Sequence, residues 1–321
     1  MPRVLCIGDL MLDIVVVIDR EISVGGDTKA IISTHGGGAA ANVATWLVDQ
    51  GVDAYLASRV GDDANGRELH LDLDRYGVGH SEKRISGEKS GMVVVIVDKN
   101  FERTMYPDSG SNSHLSEMDI PHLSAFDAVF LSGYALLNEK SRASVEAIIR
   151  KIRDAGIPIV LDPGTVGAFR DAELADLHKW ISWVDLLTLN EEEALYLGES
   201  DDLDAAITNL LKMTAALVIK RGSEGAVAQN RNSEKFEISA EGGSVVDTTG
   251  AGDAFTAGFI KEWVEGNSLD KALSSATKAA TRCIAFVGAR PPRNLKSSKA
   301  ADLNLENQIS VTDNFHNQLT D

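Results

Sequence analysis

Four short segments combine residue types that could handle an anion and a proton. The first is Asp247-Thr248-Thr249-Gly250-Ala251-Gly252-Asp253, which runs directly into a helix-forming stretch from Ala254. Glycine and alanine at a helix start leave backbone N–H groups uncovered, and with the helix dipole behind them those groups attract an anion. Asp253 follows in the first turn. A carboxylate there either complements the dipole or acts on whatever occupies the anion pocket. The second segment, His35-Gly36-Gly37-Gly38-Ala39-Ala40-Ala41-Asn42, is a glycine run that opens another helix. It is a tight flexible turn, or a place where a ligand comes close to the backbone. Asn42 offers a donor and an acceptor from one side chain, which suits a polyol.

Asn190-Glu191-Glu192-Glu193 starts a helix directly after a buried strand. Open α/β sheets bind ligands at that carboxyl edge, and carboxylates placed there can hold Mg²⁺, usually through waters. The same residues also read as a plain cap, with Asn190 as N-cap and Glu193 closing a capping-box turn. Lys220-Arg221-Gly222-Ser223-Glu224-Gly225 follows another strand. Its glycines, three apart, fit a turn that covers a nucleotide, or a simple hairpin. Asp9 and Asp13 follow the first strand and could accept hydrogen bonds from ligand hydroxyls.

These groups need elements to position them. The run 4–7 reads as a buried strand, and residues 14–18 and 29–34 as two more around a Gly25-Gly26 loop. Residues 39–50 and 64–76 read as helices, the second capped by Asp63 and stopped by Gly77. Residues 91–97 and 104–106 are again β. From 128 onward strands and helices alternate: strands 128–131, 159–161, 185–189 and 216–219, helices 141–155, 191–197, 202–213, 250–264 and 269–286. That alternation predicts an α/β fold, a mostly parallel sheet covered on both faces. The early β-only stretches, about 14–35 and 91–106, do not fit it and are expected to form a small lid. Residues 296–321 turn polar and lose periodicity, so they are expected to be a peripheral or disordered tail beside a main domain at 1–295.

Composition excludes several function classes. The 31 Lys+Arg against 48 Asp+Glu give a net charge of −17, the opposite of what nucleic-acid binding needs. Apolar runs stop at strand length, so no membrane segment is expected. Two cysteines, Cys6 and Cys283, cannot build a disulfide framework, and a cytoplasmic location is expected. There is no P-loop signature, no Gly-x-Gly-x-x-Gly after the first strand, no Gly-x-Ser-x-Gly elbow and no His-Glu-x-x-His.

Taken together, the segments resemble the ribokinase-like (PfkB) family of carbohydrate kinases. The resemblance spans about 4–289 and rests on three stretches in order: residues 37–44, Val60-Gly61-Asp62-Asp63 with Gly66, and residues 247–259. It implies a three-layer α/β/α domain with a β lid, and transfer of the γ-phosphoryl group of MgATP to a hydroxyl of a small carbohydrate. It further implies Asp253 as catalytic base, Gly250, Ala251 and Gly252 as anion hole, and Asp13, Gly37, Gly38 and Asn42 as sugar contacts. Asn190, Lys220, Gly222 and Gly225 would lie near ATP, and Glu193 near Mg²⁺. Asp247 and Thr249 match positions where several members bind K⁺. Some relatives dimerise through the lid. Ala39-Ala40 sits closer to fructokinases and 2-keto-3-deoxygluconate kinases, whereas Asp108-Ser109-Gly110-Ser111-Asn112 resembles ribokinases. A nucleoside kinase of the same superfamily, or a sugar-binding regulator without catalysis, are the alternatives. Arg103, near the lid, is read as solvated or as meeting a carboxylate or phosphate.

Overall fold

The computed structural model describes residues 1–292 except 101 and 233; the tail expected at 296–321 lies outside the described residues. The chain begins with β1 (Arg3–Ile7), β2 (Met11–Val17), β3 (Ile31–Gly37), α1 (Ala39–Asp49), β4 (Asp53–Ala57), α2 (Ala64–Tyr76), β5 (Gly79–His80), β6 (Gly91–Val97) and β7 (Arg103–Asp108). It continues with β8 (Ala128–Ser132), α3 (Tyr134–Leu137), α4 (Glu139–Asp154), β9 (Ile159–Asp162), α5 (Leu174–Ile181), β10 (Leu186–Asn190), α6 (Glu191–Leu197) and α7 (Leu203–Leu210). It closes with β11 (Ala216–Lys220), β12 (Ala226–Asn230), β13 (Lys235–Ile238), α8 (Ala251–Val264) and α9 (Leu269–Cys283).

The main sheet has the order β13-β12-β11-β10-β9-β8-β1-β4-β5. From β11 to β5 every pairing is parallel, and only β12 runs against its neighbours, pairing antiparallel with both β11 and β13. Strand β1 shows why the sheet needs two helical layers. Val4 and Cys6 point to one face, Leu5 and Ile7 to the other, and all four are fully buried. The first pair joins a core with α1, α2, α8 and α9; the second joins one with α3, α4, α5, α6 and α7. A strand buried on both faces reads as an unbroken apolar run, and each side chain so buried contributes about 1.5–3 kcal/mol.

After β1 the chain builds β4 and β5 on one side, then returns through β8 to the other. The strand order therefore reverses between β1 and β8, and the crevice at their carboxyl ends is where such sheets take ligands. Gly8 sits at that edge with φ +149°, and a Cβ on it would lie 2.7 Å from Ser132 Cβ at the end of β8. A second, four-stranded sheet in the order β3-β2-β6-β7 stands beside this edge. β2 pairs antiparallel with β3 and parallel with β6, and β6 antiparallel with β7.

Candidate active site

Helix α8 supplies the bare tip. Gly250 is its N-cap in the left-handed conformation, φ 75°. A Cβ there would stand 2.5 Å from Ala289 Cα, so the turn that starts the helix closes only with glycine. Ala254 donates to Gly250 O at 2.9 Å, which begins the regular ladder and leaves the amides of Gly252 and Asp253 without an intrahelical acceptor. A Cβ on Gly252 would meet only the tip of Lys220, 3.6 Å from Nζ. The tip is therefore uncovered on the side that faces a part-buried ammonium.

Lys220 reaches that place from the carboxyl end of β11. Its Nζ donates to Asp162 Oδ2 at 2.8 Å, at the end of β9. Burial works against its charge, but the nearby carboxylates of Asp162, Glu193 and Asp253 outweigh it and raise its pKa. Thr188 Oγ1 (3.2 Å) and the Gly164 amide (3.2 Å) also donate to Asp162. Sequence reasoning missed Asp162. An acid ending a buried strand before Pro163-Gly164 was the available signal, of the same kind that singled out Asp9.

Asp253 is the acid of the tip. Burial pushes its pKa up to about 7, with Asp162 and Asp13 adding repulsion, while the Asn42 amide and Lys220 pull it down. Asn42 Nδ2 donates to Asp253 Oδ2 at 2.9 Å. A carboxylate that titrates near neutrality, hydrogen-bonded on one oxygen, can accept a proton from a substrate hydroxyl. Asp13, on β2, is pushed up to about 6 by burial, partly offset by Arg290; Asp9 is likewise raised to about 6 by burial.

The glycine run before α1 is not a flexible turn. Gly36 and Gly37 end β3, and Gly38 (φ 95°) is the N-cap of α1. A Cβ on Gly37 would fall 2.2 Å from Asp13 Oδ1, and one on Gly38 2.3 Å from Asp9 O. The glycines let the Asp13 carboxylate and the Asp9 main chain lie against this stretch. Asn112, from the segment after β7, fixes the stretch between those acids: its Nδ2 donates to Leu10 O (3.0 Å) and its Oδ1 accepts from Leu10 N (3.3 Å).

Asn190 and Glu193 form a reciprocal cap on α6. Glu193 N donates to Asn190 Oδ1 at 2.8 Å, while Glu193 Oε2 accepts from Asn190 N (2.8 Å) and Oε1 from Asn190 Nδ2 (2.6 Å). The capping reading of the motif is thus realised. Burial, then Asp162, pushes Glu193 up to about 7. Buried Glu193 and part-buried Asp162 beside one ammonium fit a divalent cation at this edge. Among the described residues no three metal-ligating side chains converge, so such a cation would draw most of its ligands from phosphates and water.

The Asp247 carboxylate is already engaged in this arrangement. Its Oδ1 accepts from Thr249 N (2.9 Å) and Oγ1 (2.6 Å), its Oδ2 from Gly288 N (3.0 Å). Arg103 of β7 donates to the same Oδ1 and already supplies the counter-charge. Arg103 is therefore paired with a carboxylate rather than solvated. Gly222 and Gly225 belong to the hairpin between β11 and β12, where a Cβ on Gly225 would strike Ile238 O at 1.8 Å. Gly222 has open space around it.

Tyr134, at the start of α3, and Arg290, beyond α9, also stand at the site and were not anticipated. Burial pushes the Tyr134 phenol up to about 12, and Asp162, Asp253 and Glu193 add to it. Arg290 is buried, pairs with Asp72, and donates to Asn42 Oδ1 (3.2 Å) and Gly37 O (2.9 Å). No sequence pattern marked it.

A sequence model described as pfkB family carbohydrate kinase matches residues 1–295. An ATP-dependent ribose-1-phosphate kinase of Halopiger xanaduensis is 30% identical over 302 residues, covering 90% of this chain and 94% of the relative. The structure of Arabidopsis thaliana ribokinase complexed with ribose and ATP superposes with a TM-score of 0.77 at 27% identity, covering 94% of this chain and 99% of that one. Adenosine kinase from Sinorhizobium meliloti shares the fold, with a TM-score of 0.81 at 23% identity over 90% and 96% of the two chains.

Proposed function

The chain belongs to the pfkB family of carbohydrate kinases, and from that premise we propose that Asp253 takes the proton of a carbohydrate hydroxyl as it attacks the γ-phosphoryl group of ATP. The observation that carries this reading is the union, at one helix tip, of uncovered amides, a part-buried ammonium and a carboxylate whose pKa burial pushes up to about 7. A sugar alcohol is a weak nucleophile, and a positioned base of this kind contributes on the order of 10²–10⁴ in rate. The amides at 250–252 and Lys220 would meet the charge on the moving group; one such donor is typically worth about 3–4 kcal/mol. Mg²⁺, when bound with ATP near Glu193, would neutralise phosphate charge. The open face at Gly222 suits the nucleotide, with Asn190 and Gly225 shaping the edge beside it.

Asp13, Gly37, Gly38 and Asn42 would hold the acceptor, a small carbohydrate of ribose, fructose or 2-keto-3-deoxygluconate type. The second sheet would close over it as a lid and keep water from competing. Exposed Ile31 and Ile32 on β3, and Met105 and Tyr106 on β7, support pairing of two copies through that sheet. Free, buried Cys6 and Cys283 support a cytoplasmic setting, and no helix among the described residues is long and apolar enough to cross a membrane.

ADP release from MgATP, measured across pentoses, hexoses, keto-acid sugars and nucleosides, tests the reading. Turnover with a free sugar supports it. Turnover with nucleosides alone selects the nucleoside-kinase alternative, and binding without turnover selects the regulator.

A further inference from the structure

Arg290 lies in a loop after α9, far in sequence from the glycine segment, yet it is 7% exposed and so are Asp72 of α2 and, at 6%, Asn42 of α1. Its guanidinium makes three contacts at once: an ion pair to Asp72 Oδ2, Nε to Asn42 Oδ1 at 3.2 Å, and Nη2 to Gly37 O at 2.9 Å. The fit leaves no room for another side chain. A Cβ on Gly36 would stand 2.2 Å from Arg290 Nη1 and 2.6 Å from Asp72 Oδ2. The loop itself is held on both sides, by Trp46 Nε1 on Ala289 O (2.9 Å), Tyr76 Oη on Pro291 O (3.1 Å) and Gly288 N on Asp247 Oδ2 (3.0 Å).

A buried ion pair is weak evidence for stability, because desolvation consumes most of the attraction. What Arg290 does settle is an orientation. An asparagine amide can be turned end for end, but a guanidinium has only donors. Against Arg290 the oxygen of Asn42 must face the arginine, so the NH₂ faces Asp253 Oδ2, 2.9 Å away. Turned the other way, Asn42 would present an oxygen to a carboxylate and repel it.

We infer that Arg290 is a positioning residue for phosphoryl transfer: through Asn42 and Gly37 it holds the amide that steadies Asp253 and the backbone that faces the acceptor. The inference rests on the assignment of Asp253 as base. The other ionisable groups that face Asp253 are Asp162 on β9, Lys220 on β11, Asp13 on β2, Tyr134 on α3 and Cys283 on α9. None of them is replaced in the variants below, and Arg290→Lys also keeps the charge that lowers the Asp13 pKa.

Two variants test it. Arg290→Lys keeps a charge for Asp72 but cannot fork to Asn42 and Gly37 together. Arg290→Gln combined with Asp72→Asn removes both charges and leaves no buried ion unpaired. Folding is followed by thermal unfolding, and kinetics by kcat, KM for ATP, and the acid limb of kcat/KM for the sugar. In folded variants we expect kcat/KM for the sugar to drop about 10–100-fold, KM for ATP to stay put, and the acid limb to move to higher pH as Asp253 loses its donor. Wild-type kinetics in either folded variant would overturn the inference. So would a loss of kcat with the acid limb unmoved, since Arg290 would then not act through Asn42. Failure of both variants to fold would also overturn it, assigning Arg290 to the core alone. Asp253→Asn, run alongside, separates this outcome from failure of the base itself: turnover retained there sinks the base assignment whatever Arg290 does.

Discussion

Asp253→Asn should make the protein more stable at alkaline pH while it removes the carboxylate proposed as base. Burial raises the folded-state pKa of Asp253 from 3.8 to about 7. A raised pKa means the folded state binds the proton more tightly than the unfolded chain. The stabilisation from that proton is complete below the unfolded pKa and is lost as pH rises through the folded one. Above pH 7 the folded protein therefore carries an ionised carboxylate in a poor environment. About three pKa units correspond to a ceiling of about 4 kcal/mol. Lys220 loses a favourable neighbour in the variant, so we expect about 1–3 kcal/mol of net gain, or about 2–6 °C in Tm. The amide's own oxygen can still accept from Asn42 Nδ2, so the local packing is kept. The assay is thermal unfolding of both proteins, without ligands, from pH 5 to 8.5. The variant's advantage should grow with pH up to about 7 and then level off. A pH-independent difference, or a wild type that is the more stable at pH 8, would refute the account of Asp253 as an acid poorly solvated in its ionised form.

Two further outcomes follow from the same geometry. Gly252→Ala places a methyl at the helix tip in ordinary contact with Lys220, 3.6 Å from Nζ, inside a helix that prefers alanine. Tm should hold or rise, by up to about 1 kcal/mol in stability, while kcat falls and KM for ATP rises; an unchanged KM and kcat would show that phosphate does not approach this face. Glu193→Gln replaces an acid whose oxygens both face Asn190 and should raise the Mg²⁺ needed for half-maximal rate about tenfold at fixed ATP. A lowered Tm with an unchanged Mg²⁺ titration would make Glu193 a helix cap and nothing more.

Elements with local signals at both ends were readable from the sequence. Helix α2 begins at Asp63, whose side chain accepts from Gly66 N, and ends at Gly77 in the left-handed conformation, as its cap and stop residues indicate. Helix α6 was equally plain, because Asn190 and Glu193 are three apart. Helix α5 was missed: its N-cap Glu173 makes no side-chain capping bond, and tertiary burial of Leu177, Trp180 and Ile181 holds it. The strand expected at 29–34 runs on to Gly37, because pairing with β2 continues through glycines that local propensity would have ended.

The site divides in the same way. Gly250, Gly252 and Asp253 lie within one turn of one helix, so spacing revealed them. Lys220 stood out beside its glycines, but its partner Asp162 is 58 residues away. Arg290 is 248 residues from Asn42 and 218 from Asp72. Such contacts exist only once the sheet has brought strand ends together, and no window of sequence contains both halves. Arg103 reaches Asp247 across 144 residues by the same route.

The most direct test of the account is the turnover number of Asp253→Asn with saturating MgATP and the best acceptor sugar, in a preparation shown to be folded. The account predicts that kcat falls by about 10² or more while the sugar still binds. Turnover within a few-fold of wild type would contradict it, because the proton would then have left the hydroxyl without the one carboxylate placed at the helix tip to receive it.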